Sequence, residues 1–345
     1  MTKITIIGSK QSGKSTLAAK LGKKGNVSDI TMYDYAKGDK ILTIIDPTGY
    51  PDSVKPLIAS LNLSDIAVLC VPPTGLDVYA GECIVCLECM GYKHGLVLLT
   101  KSDTTYPQAT DELKTKLQKI TKGTVLEHWE HIIVSTKTFE GMEEFKEKIF
   151  NIGEEIDEEN IKKATLPPRV MIDQSFNVTG IGCVVLGIVT QGTIKTKDKM
   201  VAYPIKKPLE IRSIQMHDVD VKTAACGARV GLALKGIQSK DIDRGYVLSN
   251  DEIVSKDIKI KCKILPLSKG FNIGNVLHVF VGLQSAPLRV NCIEKNGKNT
   301  DSASGGDECI LELTGTKEIS YSQQDRFILT NLDEKQRFLG YGFLQ

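Results

Sequence analysis

The sequence lacks the features that mark a membrane or secreted protein. No apolar run reaches the roughly 20 residues of a membrane-spanning helix, and the N-terminus runs directly into a strand pattern without a signal-peptide layout. The nine cysteines stand at irregular spacings inside apolar segments, which is typical of reduced, buried thiols and not of a disulfide framework. We therefore expect a cytoplasmic protein without membrane association.

An excess of positive charge is also missing. Lysine and arginine total 44 and aspartate and glutamate total 42, so the whole molecule is not a polycation that would coat nucleic acid. Any polyanionic partner has to meet a local patch. At 345 residues the chain is long enough for two or three compact units, each with a core of its own.

Residues 1–153 have the pattern of a mostly parallel sheet covered by helices, because short β-branched runs alternate with longer amphipathic stretches. The runs are ITIIG, ITMYDY, ILTIID, IAVLCV, GLVLLT and HIIVS. Only AKGDK separates the second run from the third, which is too short for a crossover helix. These two strands are therefore predicted to form an antiparallel hairpin at one side of the sheet.

The pattern changes after this first domain. Residues 154–165 are acidic and lack apolar periodicity, which favours a solvated helix end and linker. Beyond them, short alternating strands are punctuated by glycine, without a good helical window. We expect two all-β domains, 166–251 and 252–345, folded as small barrels because closure removes exposed strand edges.

The most specific motif follows the first strand. Residues 8–16 read GSKQSGKST and match G-x-x-x-x-G-K-[ST] between an apolar strand and a helical run. The glycines allow backbone N–H groups to point at phosphates, Lys14 supplies a cation, and Ser15 supplies a magnesium ligand. The fold class is thus an α/β P-loop domain followed by two barrels. The predicted phosphate-binding residues are Gly8, Ser12, Gly13, Lys14, Ser15 and Thr16.

Two later segments predict that the nucleotide is GTP or GDP. LLTKSD ends the fifth strand and IVSTK ends the sixth, so both lie at the sheet edge that carries the P-loop. Asp103 can accept hydrogen bonds from N1–H and the exocyclic amine of guanine, whereas adenine presents an acceptor and the wrong donor there. The predicted base-binding residues are Thr100, Lys101, Asp103, Ser135, Thr136 and Lys137.

IIDPTGY places Asp46 and Gly49 in a D-x-x-G motif after another apolar strand. In P-loop GTPases the aspartate at this place contacts magnesium through water, and the glycine N–H meets the γ-phosphate. We therefore assign Asp46 to magnesium together with Ser15. Gly49 and, by its position, Tyr50 are the catalytic candidates.

With these motifs in order, the chain resembles the translational GTPases of the EF-Tu family. RVMIDQSFNVTGIGCVVLGIVTQGTIKTKDKMVAYP and AACGARVGLALKGIQSKDIDRGYVL are similar to that family's second domain, and RFILTNLDEKQRFLGYGFLQ is similar to the end of its third domain. The resemblance implies a monomer that binds GTP or GDP and Mg²⁺ and delivers an aminoacyl-tRNA to the ribosome. The chain looks like the archaeal SelB-like branch, including the short factors proposed to serve pyrrolysyl-tRNA, because it ends where SelB would add an mRNA-binding domain.

Three positions depart from the family pattern. The family writes its third motif as D-C-P-G-H, in which the histidine positions the attacking water; Tyr50 stands here instead, so we expect slow intrinsic hydrolysis. Thr100 replaces the asparagine of N-K-x-D, a change that other GTPases tolerate. The first switch is shortened, and Thr31 is its candidate magnesium-binding threonine.

Other features admit two interpretations each. Cys83, Cys86 and Cys89 stand three residues apart, which suits either an iron–sulfur or zinc site or a packed helix, and we favour a helix that binds no metal. Residues 191–240 hold ten lysine or arginine and four acidic residues, which suits either contacts with tRNA phosphates or solvated strands. Arg212 and His217 could line an aminoacyl pocket or be structural.

The departures leave a second function open. A GTP-binding regulatory protein could retain the same architecture, hydrolyse GTP slowly and act by binding another protein. Tyr50 and the short first switch favour this alternative, whereas the well-matched barrels favour the elongation factor.

Overall fold

The computed structural model describes residues 2–25, 28–37 and 40–345. The chain forms two compact units, Met1–Asp157 and Glu158–Gln345. The helices are α1 (Lys14–Leu21), α2 (Lys55–Asn62), α3 (Val78–Met90), α4 (Pro107–Thr121) and α5 (Met142–Lys163), with single 3₁₀ turns at Ser102–Thr104 and Ser239–Asp241. The strands of the first unit are β1 (Thr2–Ile7), β2 (Lys23–Lys24), β3 (Thr31–Lys37), β4 (Lys40–Asp46), β5 (Ile66–Val71), β6 (His94–Leu99) and β7 (Glu130–Ile133).

The sheet of the first unit is mostly parallel, as predicted. Its strand order is β2-β3-β4-β1-β5-β6-β7, and β4, β1, β5, β6 and β7 run parallel. Strands β3 and β4 form the predicted antiparallel hairpin near one edge; residues 38 and 39 of its connection lie outside the described residues. The two-residue strand β2 was not expected and pairs with β3. The parallel arrangement brings the carboxyl ends of β1, β5, β6 and β7 to one edge.

Helix α5 runs further than predicted. Residues 154–163, assigned from sequence to a helix end and linker, are the last turns of this helix. Its buried residues include Phe145, Ile149, Gly153 and Ile156, which lie four, four and three residues apart and so share one face. The glutamates around them stand on the other faces, which hid the periodicity. No helix within the described residues combines the length and apolar character needed to cross a bilayer.

The second unit contains two closed barrels. The strands of the first barrel are β8 (Arg169–Val178), β9 (Gly182–Gln191), β10 (Thr193–Lys195), β11 (Lys199–Tyr203), β12 (Lys207–Met216), β13 (Val219–Val221), β14 (Thr223–Ala225), β15 (Arg229–Lys235) and β16 (Val247–Ser249). Its order is β11-β16-β8-β9-β15-β12, and pairing of β11 with β12 closes the ring. The interior side chains are apolar, and include Val170, Val185 and Leu232.

The second barrel repeats this plan. Its strands are β17 (Ile253–Ile264), β18 (Phe271–Asn272), β19 (Val276–Val281), β20 (Gln284–Lys295), β21 (Lys298–Thr300), β22 (Ser302–Ala303), β23 (Glu308–Tyr321), β24 (Arg326–Thr330) and β25 (Phe338–Leu344). The order is β19-β24-β25-β17-β23-β20, closed by the β19–β20 pair. The predicted fold class, an α/β domain followed by two β-barrels, is therefore confirmed, while the domain bounds stay predictions.

A buried ion cluster joins the two barrels. Arg169 of the first barrel lies 2.6 Å from Glu252, between the barrels, and 2.7 Å from Asp325 of the second barrel. The Glu252 side chain is fully buried. Burial raises the pKa of Glu252, and the hydrogen bond and charge of Arg169 oppose that rise. The cluster therefore depends on the arginine for charge compensation.

Candidate nucleotide-binding site

The phosphate loop lies between β1 and α1 and contains three residues with positive φ. Gly8 has φ 143°, Gln11 63° and Gly13 92°. A Cβ at Gly8 would lie 2.6 Å from the carbonyl oxygen of Cys70, so only glycine permits this approach to β5. Helix α1 starts directly after Gly13, which places its free N–H groups at the loop. This arrangement suits an anionic ligand.

Lys14 and Ser12 turn polar groups toward the loop interior. Lys14 is 8% exposed, and its Nζ donates a 3.1 Å hydrogen bond to the carbonyl oxygen of Ser9. The Ser12 hydroxyl is buried and has no hydrogen-bond partner among the described residues. The loop therefore holds an enclosed cation and an unsatisfied hydroxyl.

Ser15 and Asp46 meet beside the loop. Oγ of Ser15 donates a 2.6 Å hydrogen bond to Oδ2 of Asp46, and within the described chain Oδ1 of the same buried carboxylate has no partner. Burial raises the pKa of Asp46, whereas Ser15, Lys14 and Lys24 lower it. An unpartnered buried carboxylate oxygen next to a hydroxyl is a donor set that a hard divalent cation prefers. These residues fit magnesium.

Thr31 brings another hydroxyl to the same place. It is the first residue of β3 and pairs with Asp46, the last residue of β4. Thr31 is fully buried, and its Oγ1 lies 3.4 Å from Oγ1 of Thr48. The hairpin thus places the two predicted ligands side by side. Residues 26 and 27, in the segment predicted as the shortened first switch, lie outside the described residues.

The two predicted base-binding segments also come together. Oγ of Ser135 donates a 2.6 Å hydrogen bond to Oδ1 of Asp103. The Ser135 Oγ also accepts hydrogen bonds from the backbone N–H groups of Lys137 and Thr138, each at 3.1 Å. Nζ of Lys137 lies 4.0 Å from Oδ2 of Asp103. Ser135 therefore orients the carboxylate that the sequence assigns to guanine.

Thr100 links the base-binding edge to the phosphate loop. Its Oγ1 donates a 2.6 Å hydrogen bond to the carbonyl oxygen of Ser12 and lies 3.3 Å from that of Val71. Lys101 follows in the left-handed region with φ 58°. A cavity of about 120 Å³ opens between these segments, lined by Gly13, Thr16, Leu17, Thr100, Lys101, Val134 and Thr136. Five of these seven residues are predicted nucleotide contacts.

Comparison with known proteins identifies the family of the chain. A family model described as Elongation factor Tu domain 2 matches residues 182–249. The chain is 34% identical over 330 residues to an uncharacterized protein of Methanocaldococcus jannaschii, covering 94% of each chain. It is 27% identical to the selenocysteine-specific elongation factor of the same organism, covering 93% of this chain and 71% of that one. The chain belongs to the EF-Tu-like translational GTPase family.

Solved structures of the family share the fold. Translation elongation factor SelB from Methanococcus maripaludis, in complex with the GTP analogue GppNHp, has a TM-score of 0.83 at 23% identity, covering 100% of this chain and 78% of that chain. Elongation factor 1-alpha of Metallosphaera sedula is 26% identical in sequence over 307 residues, covering 81% of this chain and 71% of that one.

The third motif is where this chain departs from the family. The Gly49 N–H donates to the carbonyl oxygen of Asp29 at 2.9 Å. Tyr50 is 3% exposed, and its hydroxyl donates to the carbonyl oxygen of Tyr79 at 2.7 Å and to Oε2 of Glu82 at 3.0 Å. Burial raises the pKa of Tyr50 far above its usual value. In this structure Tyr50 is thus a buried residue whose hydroxyl contacts α3.

The cysteine stripe lies on α3, as the packed-helix interpretation predicts. Asp77 caps the helix by accepting a 2.8 Å hydrogen bond from the N–H of Ala80, and Gly91 ends it in the left-handed region. Cys83, Cys86 and Cys89 are fully buried. The absence of a bound metal stays a prediction.

Arg212 and His217 occupy the surface of the first barrel. Arg212 is exposed, and its Nη1 donates to the carbonyl oxygen of Ile181 at 3.0 Å. His217, with φ 51°, and Asp218, with φ 61°, form the turn between β12 and β13. The sequence leaves both roles open. It also gives no local signal for Glu82, because the contact of Glu82 with Tyr50 spans 32 residues.

Proposed function

We propose that the first domain binds GTP and GDP with magnesium. Lys14 and the N–H groups at the start of α1 hold the phosphates. Ser15, Asp46 and Thr31 hold the ion, which neutralises charge on the β- and γ-phosphates. One observation carries this proposal. Oδ2 of buried Asp46 accepts a 2.6 Å hydrogen bond from Oγ of Ser15, while Oδ1 has no hydrogen-bond partner among the described residues.

Guanine is held at the opposite end of the same sheet edge. Its N1–H and exocyclic amine donate to the carboxylate of Asp103, whose orientation is set by the Ser135 hydroxyl. Adenine would leave this carboxylate facing a nitrogen lone pair, which costs a hydrogen bond and adds repulsion. Lys101 and Thr136 line the cavity between the two base-binding segments and the phosphate loop.

The whole chain acts as an elongation factor that delivers an aminoacyl-tRNA to the ribosome in the cytoplasm. Similarity to elongation factors over most of the chain supports this role. The first barrel adds exposed cations, since Lys195, Lys197 and Lys199 lie on its surface strands and turns. Such cations suit phosphate contacts, and binding should weaken steeply with salt. We also propose that the factor is a monomer of the SelB-like branch.

Hydrolysis by the isolated factor is slow. In the family a histidine follows the glycine of the third motif, whereas Tyr50 is buried and bonded to α3 in this chain. Its phenol, with a pKa raised by burial, does not accept a proton from water at neutral pH.

The deciding experiment measures protection of the aminoacyl ester. Several aminoacyl-tRNAs, including rare ones, are incubated with the full chain and either a non-hydrolysable GTP analogue or GDP, and deacylation is followed over time. We expect protection of at least one aminoacyl-tRNA with the GTP analogue only. The double variant Lys197→Ala/Lys199→Ala should weaken protection and reduce its salt dependence, whereas Lys119→Ala, an exposed change on α4, should not.

Equal, unprotected deacylation of every tRNA in both nucleotide states would contradict the elongation-factor proposal. Intact nucleotide binding in the same sample would then favour the regulatory alternative, in which the chain acts through a protein partner. Loss of nucleotide binding itself would contradict the site assignment instead.

A further inference from the structure

Two cysteines of the second barrel face each other across neighbouring strands. Cys262 of β17 and Cys309 of β23 are directly opposed in the antiparallel register. Their sulfur atoms lie 3.5 Å apart, and the residues are 1% and 4% exposed. Directly opposed residues of antiparallel strands have Cα atoms about 4.5 or 5.5 Å apart, and disulfides accept about 4.4–6.8 Å. The backbone therefore already has the spacing that a disulfide needs.

The surroundings keep the two sulfurs together. On its other side Cys262 pairs with Gly342 of β25, where an added Cβ would lie 2.9 Å from Cys262 Cβ. The absence of a side chain at Gly342 lets the backbone of β25 approach Cys262 closely on that side. Sγ of Cys262 instead lies 3.3 Å from the carbonyl oxygen of Cys309. Neither sulfur has to leave the barrel interior to reach the other.

Cys309 is the more accessible cysteine of the pair, 4% exposed against 1% for Cys262. A hydrogen bond from Cys262 lowers the pKa of Cys309, and Lys295 adds to this effect, while burial and Asp307 oppose it. Cys309 is also the second residue of β23, beside the turn at residues 304–307, so opening of the strand end exposes it first. Cys262 lies opposite, in position to react next.

We propose that Cys262 and Cys309 are a site of reversible disulfide formation, oxidised by a small peroxide. The Cys309 thiolate attacks one peroxide oxygen, which gives a sulfenic acid and, after protonation, one water. The sulfur of Cys262 then attacks the sulfenic sulfur, loses its proton and releases a second water. Two thiols are oxidised to one disulfide while hydrogen peroxide is reduced to two waters. The site is separate from the nucleotide site and does not depend on the proposed function.

Simple packing is the competing explanation, because buried cysteines also behave as small apolar residues. The two explanations differ in what peroxide does to the folded chain. A packed, inert pair stays as two thiols, whereas a disulfide site loses both thiols together and regains both on reduction. The bond would link β17 to β23 and enclose residues 263–308, which include β19 and β20.

The experiment treats the folded full chain with hydrogen peroxide, blocks the remaining thiols by alkylation after quenching and maps the peptides by mass spectrometry. We expect one cross-linked peptide pair containing Cys262 and Cys309, a loss of two of the nine alkylatable thiols, and full recovery with dithiothreitol. Cys262→Ala and Cys309→Ala should each abolish the cross-link. Cys292→Ser, which alters a more exposed cysteine of the same barrel, should leave it unchanged.

Three results would overturn the proposal. One is full alkylation of both cysteines after peroxide treatment of chain shown to be folded by circular dichroism. Another is irreversible oxidation of Cys309 alone, without a cross-link. The third is a cross-link that forms only in denaturant. If either alanine variant fails to fold, Cys262→Val and Cys309→Val, which keep an apolar side chain of similar size, provide the same comparison.

Discussion

The hydroxyl of Tyr50 donates a 3.0 Å hydrogen bond to Oε2 of Glu82, one turn into helix α3. The same hydroxyl reaches the carbonyl oxygen of Tyr79, and the two tyrosine rings meet edge to face with centroids 6.4 Å apart. The residue at the family's histidine position is therefore tied into the structure of the first domain. Replacing it affects both the fold and the chemistry, and the two effects can be measured apart.

Tyr50→His should raise the single-turnover rate of GTP hydrolysis by about tenfold or more, because an imidazole can orient water where a buried phenol does not. Tyr50→Phe is the matched control. It should leave hydrolysis slow and cost about 1–2 kcal/mol of stability, since it removes the donor to two acceptors. A wild-type rate equal to that of a ribosome-stimulated factor would contradict the argument from Tyr50.

Lys14→Ala should weaken GTP and GDP binding by about 100-fold or more, because the enclosed ammonium group is lost from the phosphate loop. Calorimetry with magnesium measures this. Lys10→Ala is the control in the same loop, since Lys10 is exposed and bonded to Asp52 at 3.2 Å. Undiminished nucleotide binding by Lys14→Ala would contradict the assignment of the phosphate-binding site.

Asp103→Asn should move the preference from guanosine toward xanthosine nucleotides. The amide presents a donor to the 2-oxo group of xanthine, whereas guanine presents an amine there. Competition between GTP and XTP for the variant gives the ratio directly. Asp111→Asn, on the exposed face of α4, should keep the wild-type preference; a guanosine preference retained by Asp103→Asn would place the base elsewhere.

The pH dependence of binding and of stability should have opposite signs around Asp46. Burial raises the pKa of this carboxyl in the folded chain above its unfolded value. The charged form therefore destabilises the ligand-free fold above the folded pKa, and this cost disappears as the pH falls through that value. Protonation also removes the negative charge that Asp46 offers to magnesium, so affinity for Mg²⁺-GTP should decrease over the same interval.

Thermal or urea unfolding of the ligand-free chain and calorimetry with Mg²⁺-GTP, both followed from neutral to mildly acidic pH, test this expectation. Asp46→Asn is the control, since the amide does not titrate and should flatten both profiles at this site. Parallel decreases of stability and affinity that persist in Asp46→Asn would assign the pH dependence to other groups.

Arg169→Ala should destabilise the second unit by about 3–5 kcal/mol, because it leaves buried Glu252 and partly buried Asp325 without their shared cation. Urea unfolding followed by near-ultraviolet circular dichroism measures the change. Lys206→Ala is a matched control, since it removes an exposed 3.8 Å pair with Glu318 that also joins the two barrels. That variant should cost less than about 1 kcal/mol, and equal effects would show that burial is not the cause.

Sequence was sufficient for the elements whose signals are local. The β-branched runs predicted the strands of the first sheet, the AKGDK spacing predicted the β3–β4 hairpin, and the glycines of the P-loop stand at positive φ. The predicted base-binding segments meet because parallel strands share one carboxyl edge. Helical spacing alone placed Cys83, Cys86 and Cys89 correctly on a buried helix.

Contacts between distant residues could not be predicted in this way. The extension of α5 was missed because its buried positions are few among many glutamates, and the close approach of Gly153 to Thr2 of β1 is a tertiary contact. The Tyr50–Glu82 and Cys262–Cys309 contacts depend on tertiary packing across 32 and 47 residues. The assignment of Arg212 and His217 stays open for the same reason, since surface position alone gives neither a role.

Because Thr100 Oγ1 donates a hydrogen bond to the carbonyl oxygen of Ser12, the binding free energies of the base and of the phosphates should be non-additive. A base that displaces the residues after β6 would also displace the phosphate loop through this hydrogen bond. A wrong base would therefore weaken both its own contacts and those of the phosphates. Guanosine alone and pyrophosphate alone should therefore bind with free energies whose sum, after correction for the entropy of linking them, differs from that of GDP. Thr100→Val keeps the shape of the side chain and removes the hydrogen-bond donor. In this variant the binding free energies of guanosine and pyrophosphate, after the same correction, should add up to that of GDP.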